Sequence, residues 1–306
     1  MAESPAVSVI IPSFNRAATL PRAIGSVLKQ SFDDLELIVV DDASTDGTEA
    51  VVQQFQDDRV RYLRHSKNRF AAAARNTGMQ AARGEYIAFL DSDDEWLNHK
   101  LECQVGSLQS CDASWGCCYG GANVIDVRTD RRRVYRPTHS GNVLNSYLMS
   151  RFIVWTPTFL FRRACLDEIG MMDERLIRCQ DRDFFVRFFD RYQTTVVSEP
   201  LVNVYSDTLS RNVVDARRGR LAFLEKHENR IEELGPFWSR YVHALQWCLQ
   251  AEQEFSIGRF PQGFAAAFHC LRWNPCLPPK RYAALVLRMA QGCFSRVGRN
   301  QVASVE

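Results

Sequence analysis

The chain has 306 residues, 46% of them hydrophobic and 24% charged, with a formal net charge of +2. That balance belongs to a globular chain with a real core, and the net charge is too small for bulk nucleic-acid binding, so no nucleic-acid partner is expected. Ten cysteines invite a disulfide framework or a zinc site, yet no CxxC pair and no Cys/His set at zinc-finger spacing accompanies them. Met1-Ala2-Glu3-Ser4-Pro5 lacks the basic and apolar regions of a signal peptide. No run reaches the about 18 apolar residues of a spanning helix. The cysteines therefore read as reduced thiols, and the expected location is cytoplasmic.

Val7-Ser8-Val9-Ile10-Ile11 is a β-branched run that stops at Pro12-Ser13-Phe14-Asn15, the pattern of a buried strand ending in a loop. Thr19 to Gln30 carries apolar residues at helical spacing. Leu35 to Val40 reads as a second strand, closed by Asp41-Asp42-Ala43-Ser44-Thr45-Asp46-Gly47, and Thr48 to Phe55 as a second helix. Arg59 to Leu63 makes a third strand. Phe70 to Arg83 makes an Ala-rich helix with Gly84 as its closing residue, and Tyr86 to Leu90 a fourth strand. Such alternation predicts an α/β fold with a mostly parallel sheet flanked by helices. Right-handed crossovers then bring every strand's C-terminal end to one edge. That edge collects Ser13 to Asn15, Asp41, Asp42, Asp46 and Asp91 to Asp94.

Asp91 and Asp93 lie two apart, so in an extended segment both point the same way. Two like charges that close repel unless a cation or donors stand between them. The fitting cation is hard and oxygen-seeking, Mg²⁺ or Mn²⁺, reached partly through a substrate's phosphates. The alternative is a solvated acidic turn, or a cap before a helix that starts near Asn98. Neither GxGxxG nor GxxxxGK[ST] follows the first strand, which removes a dinucleotide fold and a P-loop.

Farther on, Tyr119 to Val127 and Arg131 to Arg136 read as a hairpin, and a strand follows a proline turn near Pro157. Phe184, Phe185, Phe188 and Phe189 give a helix an apolar face, with Asp181 and Asp183 in its first turn. Acidic residues are favoured there by the helix dipole, so Asp181 is either a helix cap or a catalytic base. Thr194 to Val197 and Leu201 to Tyr205 read as short strands. Beyond about Asp207 four helical segments follow, Val214 to Leu234, Phe237 to Ile257, Pro261 to Trp273 and Pro279 to Arg296. The expected division is 1–208 for the α/β domain and 209–306 for an all-helical C-terminal region. Arg128, Arg131, Arg132, Arg133 and Arg136 cluster, either as a solvated face or as a surface for anionic headgroups or phosphates.

Four stretches, in order, resemble the motifs of family 2 glycosyltransferases with the GT-A fold: Val7 to Asn15, Val39 to Thr48, Ala74-Arg75-Asn76-Thr77-Gly78, and Ala82 to Asp94. The resemblance covers Val7 to about Tyr205. It implies an inverting enzyme that moves a sugar from a nucleoside diphosphate sugar, commonly UDP-linked, to an acceptor hydroxyl. It implies Pro12, Ser13 and Asn15 in the loop lining the nucleoside, Asp42 on the base, Arg75 on the nucleotide and Asp91 as the ribose or bridging contact. Asp93 becomes the ligand of Mn²⁺ or Mg²⁺, and Asp181 the base that deprotonates the acceptor. Two departures stand out. Gln180-Asp181 replaces the family's acidic pair, and Val204 to Ser210 lacks the His that completes the metal shell in many relatives. The QxxRW pattern of processive synthases is absent, which implies a single addition. The implied acceptor is a glycan, glycolipid or lipid-linked sugar, with peripheral contact at the inner membrane face through the basic segments. Against this stand a sugar-1-phosphate nucleotidyltransferase, which needs a Gly-rich first loop, and a non-catalytic relative that binds a nucleotide-sugar or a partner.

Overall fold

The computed structural model describes residues 4–206 and 213–273. The first unit is built from nine strands and seven helices among these residues. Its elements run β1 Val7–Ser13, α1 Leu20–Leu28, β2 Leu35–Asp41, α2 Thr48–Gln53, β3 Val60–Arg64, α3 Phe70–Ala81 and β4 Tyr86–Phe89. There follow β5 Glu95–Trp96, α4 Lys100–Gln109, β6 Trp115–Asp126, β7 Arg132–Tyr135, α5 Leu144–Leu148, β8 Leu160–Arg162, α6 Leu166–Ile169, α7 Gln180–Arg191 and β9 Gln193–Ser206. The strand order is β3-β2-β1-β4-β8-β6-β9-β5, with β7 paired to β6. The first four strands are mutually parallel in this order, as the βαβ alternation requires. Every residue of β1, β2 and β4 is buried, which explains their continuous apolar runs. Beyond β4 the sheet turns mixed, since β8 runs antiparallel to both β4 and β6 while β9 runs parallel to β6.

Several expectations are adjusted by packing. The two short strands after Thr194 are one strand, β9, which pairs with β6 through register shifts at Gly120 and Gly121. A Cβ on Gly121 would meet the Glu199 carbonyl at 2.6 Å, so the bulge needs glycine there. β6 begins at Trp115, four residues before the expected start. Gly84 does not close α3: the helix ends at Ala81, with Ala82 extended. Gly84 is instead a close-approach site, where a Cβ would lie 2.6 Å from the Ser8 backbone nitrogen.

The second unit holds α8 Val213–Lys226, α9 Glu228–Glu232, α10 Pro236–Ser256 and α11 Phe260–Trp273. The expected helix Val214 to Leu234 is therefore two helices. Helices α10 and α11 are antiparallel: His243 stacks on Trp273 at 4.2 Å and Trp247 on His269 at 4.5 Å, while Phe255 meets Phe264 at 5.2 Å. Their seam is Ala244, Cys248, Ala251, Phe255, Ala266 and Cys270. The expected helix Pro279 to Arg296 lies outside the described residues. No disulfide joins the eight described cysteines. No helix among the described residues is long and apolar enough to cross a membrane.

Candidate active site

The loops after β1, β2 and β4 meet at the carboxyl edge of the parallel strands, since Ser13 pairs with Asp41 and Ile10 with Phe89 in register. Each acidic residue on this edge has a distinct job. Asp41 is fully buried, accepts from the Ser44 backbone N–H at 2.8 Å and from the Tyr62 hydroxyl at 2.5 Å, and so shapes the turn. Asp46 accepts from the Ala17 N–H at 3.0 Å and from Thr48, tying the first loop to the second. Its carboxyl is held below the usual range, chiefly by the Thr48 hydroxyl. Asn15, at φ 53°, joins the same tie: its Oδ1 accepts from the Thr45 N–H at 2.8 Å and its N–H donates to the Ser44 hydroxyl at 2.9 Å. Pro12 and Ser13 are buried at the end of β1, and the Ser13 hydroxyl has no hydrogen-bond partner.

Asp42 is buried, and its Oδ1 accepts from His65 Nδ1 at 2.7 Å and from the Arg69 N–H at 2.8 Å. Both bonds fall on one oxygen; Oδ2 takes none. His65 passes the chain of bonds to the Thr77 hydroxyl at 2.9 Å. Arg75 is 7% exposed and its guanidinium donates to Asp91 Oδ1 at 2.5 Å, while its Nε is buried without a partner. Asn76, beside it, is a fastener: its amide donates to the Met172 carbonyl and Glu174 and accepts from the Met172 N–H.

The Asp91–Glu95 loop sorts its carboxylates. Asp94 turns inward, 4% exposed, and accepts from the Tyr205 N–H at 2.9 Å. Asp93 turns outward, its side chain 44% exposed, with an Arg16 guanidinium nitrogen 3.9 Å away. Partial burial, with Asp91 beside it, raises the Asp93 carboxyl above its ordinary range; burial drives Asp94 higher still. Among the described residues no group of three or more His, Cys, Asp or Glu is arranged to hold a metal. What remains, Asp93 with Asp91, is a hard oxygen set of the kind that shares Mg²⁺ or Mn²⁺ with substrate phosphates rather than caging it. A divalent ion there would offset both the burial of the Asp93 carboxylate and the Asp91 charge beside it.

Asp181 sits in the first turn of α7 and its Oδ1 accepts from the Arg182 N–H at 2.9 Å. The residue before the helix, Cys179, is left-handed at φ 64°, and Gln180 Oε1 is buried without a partner. Helix α7 is fixed against β4 and β8 by a phenylalanine cluster. Phe184 lies 6.3 Å from Phe89 and 5.6 Å from Phe161, and Phe188 lies 5.1 Å from Phe161. Asp181 and Asp91 thus leave opposite partners of one aromatic contact, three residues before Phe184 and two after Phe89. Asp183, the other acid of the turn, is fully buried and paired with Arg187 at 3.0 Å.

The structure therefore joins Arg75 to Asp91, locks Asn15 into the loop scaffold and leaves Asp93 and Asp42 Oδ2 open, while Asp181 makes no direct bond to any of them. Sequence reasoning passed over His65, Arg16, Arg22 and Tyr205. His65 follows β3 at the same sheet edge, so the topology rule that gathered the acids also reaches it. Arg22 and Tyr205 come from a helix and a late strand, where no such rule applies.

The glycosyl transferase family 2 model matches residues 8–170. Over 120 residues the chain is 42% identical to an Escherichia coli protein named UDP-Glc:alpha-D-GlcNAc-diphosphoundecaprenol beta-1,3-glucosyltransferase WfgD, a match that covers 39% of this chain and 47% of that one. The chain therefore spans about half the length of this relative. Among solved structures, S. aureus TarS 1-349 in complex with UDP-GlcNAc superposes with a TM-score of 0.61 at 17% identity, over 95% of this chain and 91% of that one. The mannosyltransferase PcManGT from Pyrobaculum calidifontis, in complex with GDP-Man and Mn²⁺, gives 0.59 at 19% identity over 97% and 88%. These two likenesses concern the fold.

Proposed function

We propose that this chain, which belongs to glycosyl transferase family 2, transfers a sugar with inversion from a nucleoside diphosphate sugar, UDP-linked, to an acceptor hydroxyl in cell-surface glycan or glycolipid assembly. The observation that carries the reading is the division of labour at the sheet edge. Asp41 and Asp46 use both carboxylate oxygens in hydrogen bonds, whereas Asp42 Oδ2, the Ser13 hydroxyl and the Asp93 carboxylate remain available. Asp42 Oδ2 accepts from the base N–H, held rigid by His65 and the Arg69 N–H. Ser13 and the backbone of Pro12 and Asn15 line the nucleoside. Arg75 orients Asp91 toward the ribose and keeps a positive charge near the phosphates.

Asp93, with Asp91 behind it, would hold Mn²⁺ or Mg²⁺. A divalent ion there offsets charge that grows on the departing diphosphate. Arg16, next to Asp93, adds to the same field. Asp181 takes the proton of the attacking hydroxyl as the new bond forms, a contribution of roughly 10²–10⁴-fold. Gln180 in place of an acid lets the neighbouring position act as donor or acceptor toward a sugar hydroxyl.

The acceptor is lipid-linked; support comes from the diphosphoundecaprenol in the name of the E. coli relative. The exposed arginines 128, 131, 132, 133 and 136 on the β6–β7 hairpin suit contact with an anionic inner membrane face. The test is transfer from a panel of UDP-sugars to lipid-diphosphate-linked sugars by wild type and Asp181→Asn. The expected outcome is transfer by wild type only, with UDP affinity equal in the two. Normal transfer by Asp181→Asn would leave Asp181 as a helix cap.

A further inference from the structure

We propose that Arg22 is a positioning residue for this reaction, acting through the Asp91–Glu95 loop rather than on substrate; the proposal rests on the glycosyltransferase reading. Arg22 lies in the first turn of α1, and its guanidinium donates to the Asp93 backbone carbonyl. The same guanidinium lies over the Tyr205 ring, its central carbon 3.7 Å from the ring centre. Tyr205 returns to the loop twice: its N–H donates to Asp94 Oδ1 at 2.9 Å and its hydroxyl to Glu95 Oε2 at 3.1 Å. Asn203, which pairs with Glu95 across β5 and β9, donates to the same Glu95 oxygen at 2.9 Å. Loop, arginine, ring and loop again form a closed clasp.

The clasp fixes the peptide between Asp93 and Asp94. With Asp94 bonded inward and the Asp93 carbonyl bonded to Arg22, the Asp93 carboxylate has one direction left, outward beside Arg16. An arginine used for stability alone would have its donors satisfied. Here Nε of Arg22 is buried with no partner, so burial has been accepted for the sake of orientation.

The experiment titrates UDP calorimetrically into the full-length chain, with Mn²⁺ or with EDTA, for wild type, Arg22→Met, Arg22→Lys, Tyr205→Phe and Tyr205→Leu, with thermal midpoints recorded alongside. In Arg22→Met the affinity in EDTA should hold while the gain from Mn²⁺ falls by about tenfold or more, the size seen when the support of a metal ligand is removed. Tyr205→Leu should behave in the same way. Tyr205→Phe, which keeps the ring, should stay near wild type. Arg22→Lys keeps a donor but lacks the planar guanidinium, so it should fall between. Full retention of the Mn²⁺ gain in Arg22→Met would overturn the proposal. So would an equal loss with and without metal, or a loss in Arg22→Lys that simply follows a lowered midpoint. A wild type whose UDP binding ignores Mn²⁺ would overturn the functional reading itself and the clasp's role with it.

Discussion

At the scale of single residues, motif reading gathers the acids at one sheet edge but does not show how their hydrogen bonds divide them. Asp41, Asp42, Asp46 and Asp91 to Asp94 are equivalent as letters at a sheet edge. Hydrogen bonds separate them, and those partners come from residues up to 111 positions away, as between Asp94 and Tyr205. Local sequence cannot carry that information. Lys100 shows the same limit. It opens α4 as an ordinary lysine, yet it is fully buried, with its ammonium 2.5 Å from Gln104 Oε1 and 4.0 Å from the centre of the Trp96 ring. Burial pulls its pKa down to about 7. An unfolded chain keeps that proton up to about pH 10. Between these values the unfolded state holds a proton the folded state lacks, so this residue makes stability rise with pH across the window and level off below it. Urea denaturation of wild type and Lys100→Met at several pH values checks this. The wild-type stability should gain on the variant by on the order of a few kcal/mol between about pH 7 and about pH 10. A constant difference would mean that Lys100 keeps its proton in the folded state as it does in the unfolded chain.

At the scale of elements, the parallel half was legible because β1, β2 and β4 are buried on both faces and α1 has one apolar face. Those are signals of composition and period. The mixed half was less so. Strand β8 is three residues long and β5 two, too short to show alternation, and β9 breaks its pattern where it shifts register against Gly120 and Gly121. The phenylalanine face of α7 was visible, but its partners Phe89 on β4, Phe161 on β8 and Phe159 just before β8 were not. This cluster is what sets α7, and so Asp181, against the strand that leads to Asp91. Phe184 is fully buried in it. Phe184→Ala should cost about 3–5 kcal/mol in chemical denaturation. A loss below about 1 kcal/mol would mean that the helix is held elsewhere.

At the scale of the whole molecule, every residue assigned to donor or base lies within 1–208, and we propose that this stretch is the glycosyltransferase domain, with 209–306 a helical region of separate role. A chain ending at residue 208 should then bind UDP as the full chain does; complete loss of binding in a fragment that still melts cooperatively would refute the division. The central claim is that the open acids at the sheet edge receive a metal-bound nucleoside diphosphate. Calorimetric titration of UDP, GDP and dTDP with Mn²⁺, Mg²⁺ or EDTA, repeated with Asp93→Ala, tests it most directly. UDP binding should be strengthened by the metal, and that gain should be lost in Asp93→Ala. Failure of every nucleotide to bind under every condition, or binding indifferent to both metal and Asp93, would contradict it.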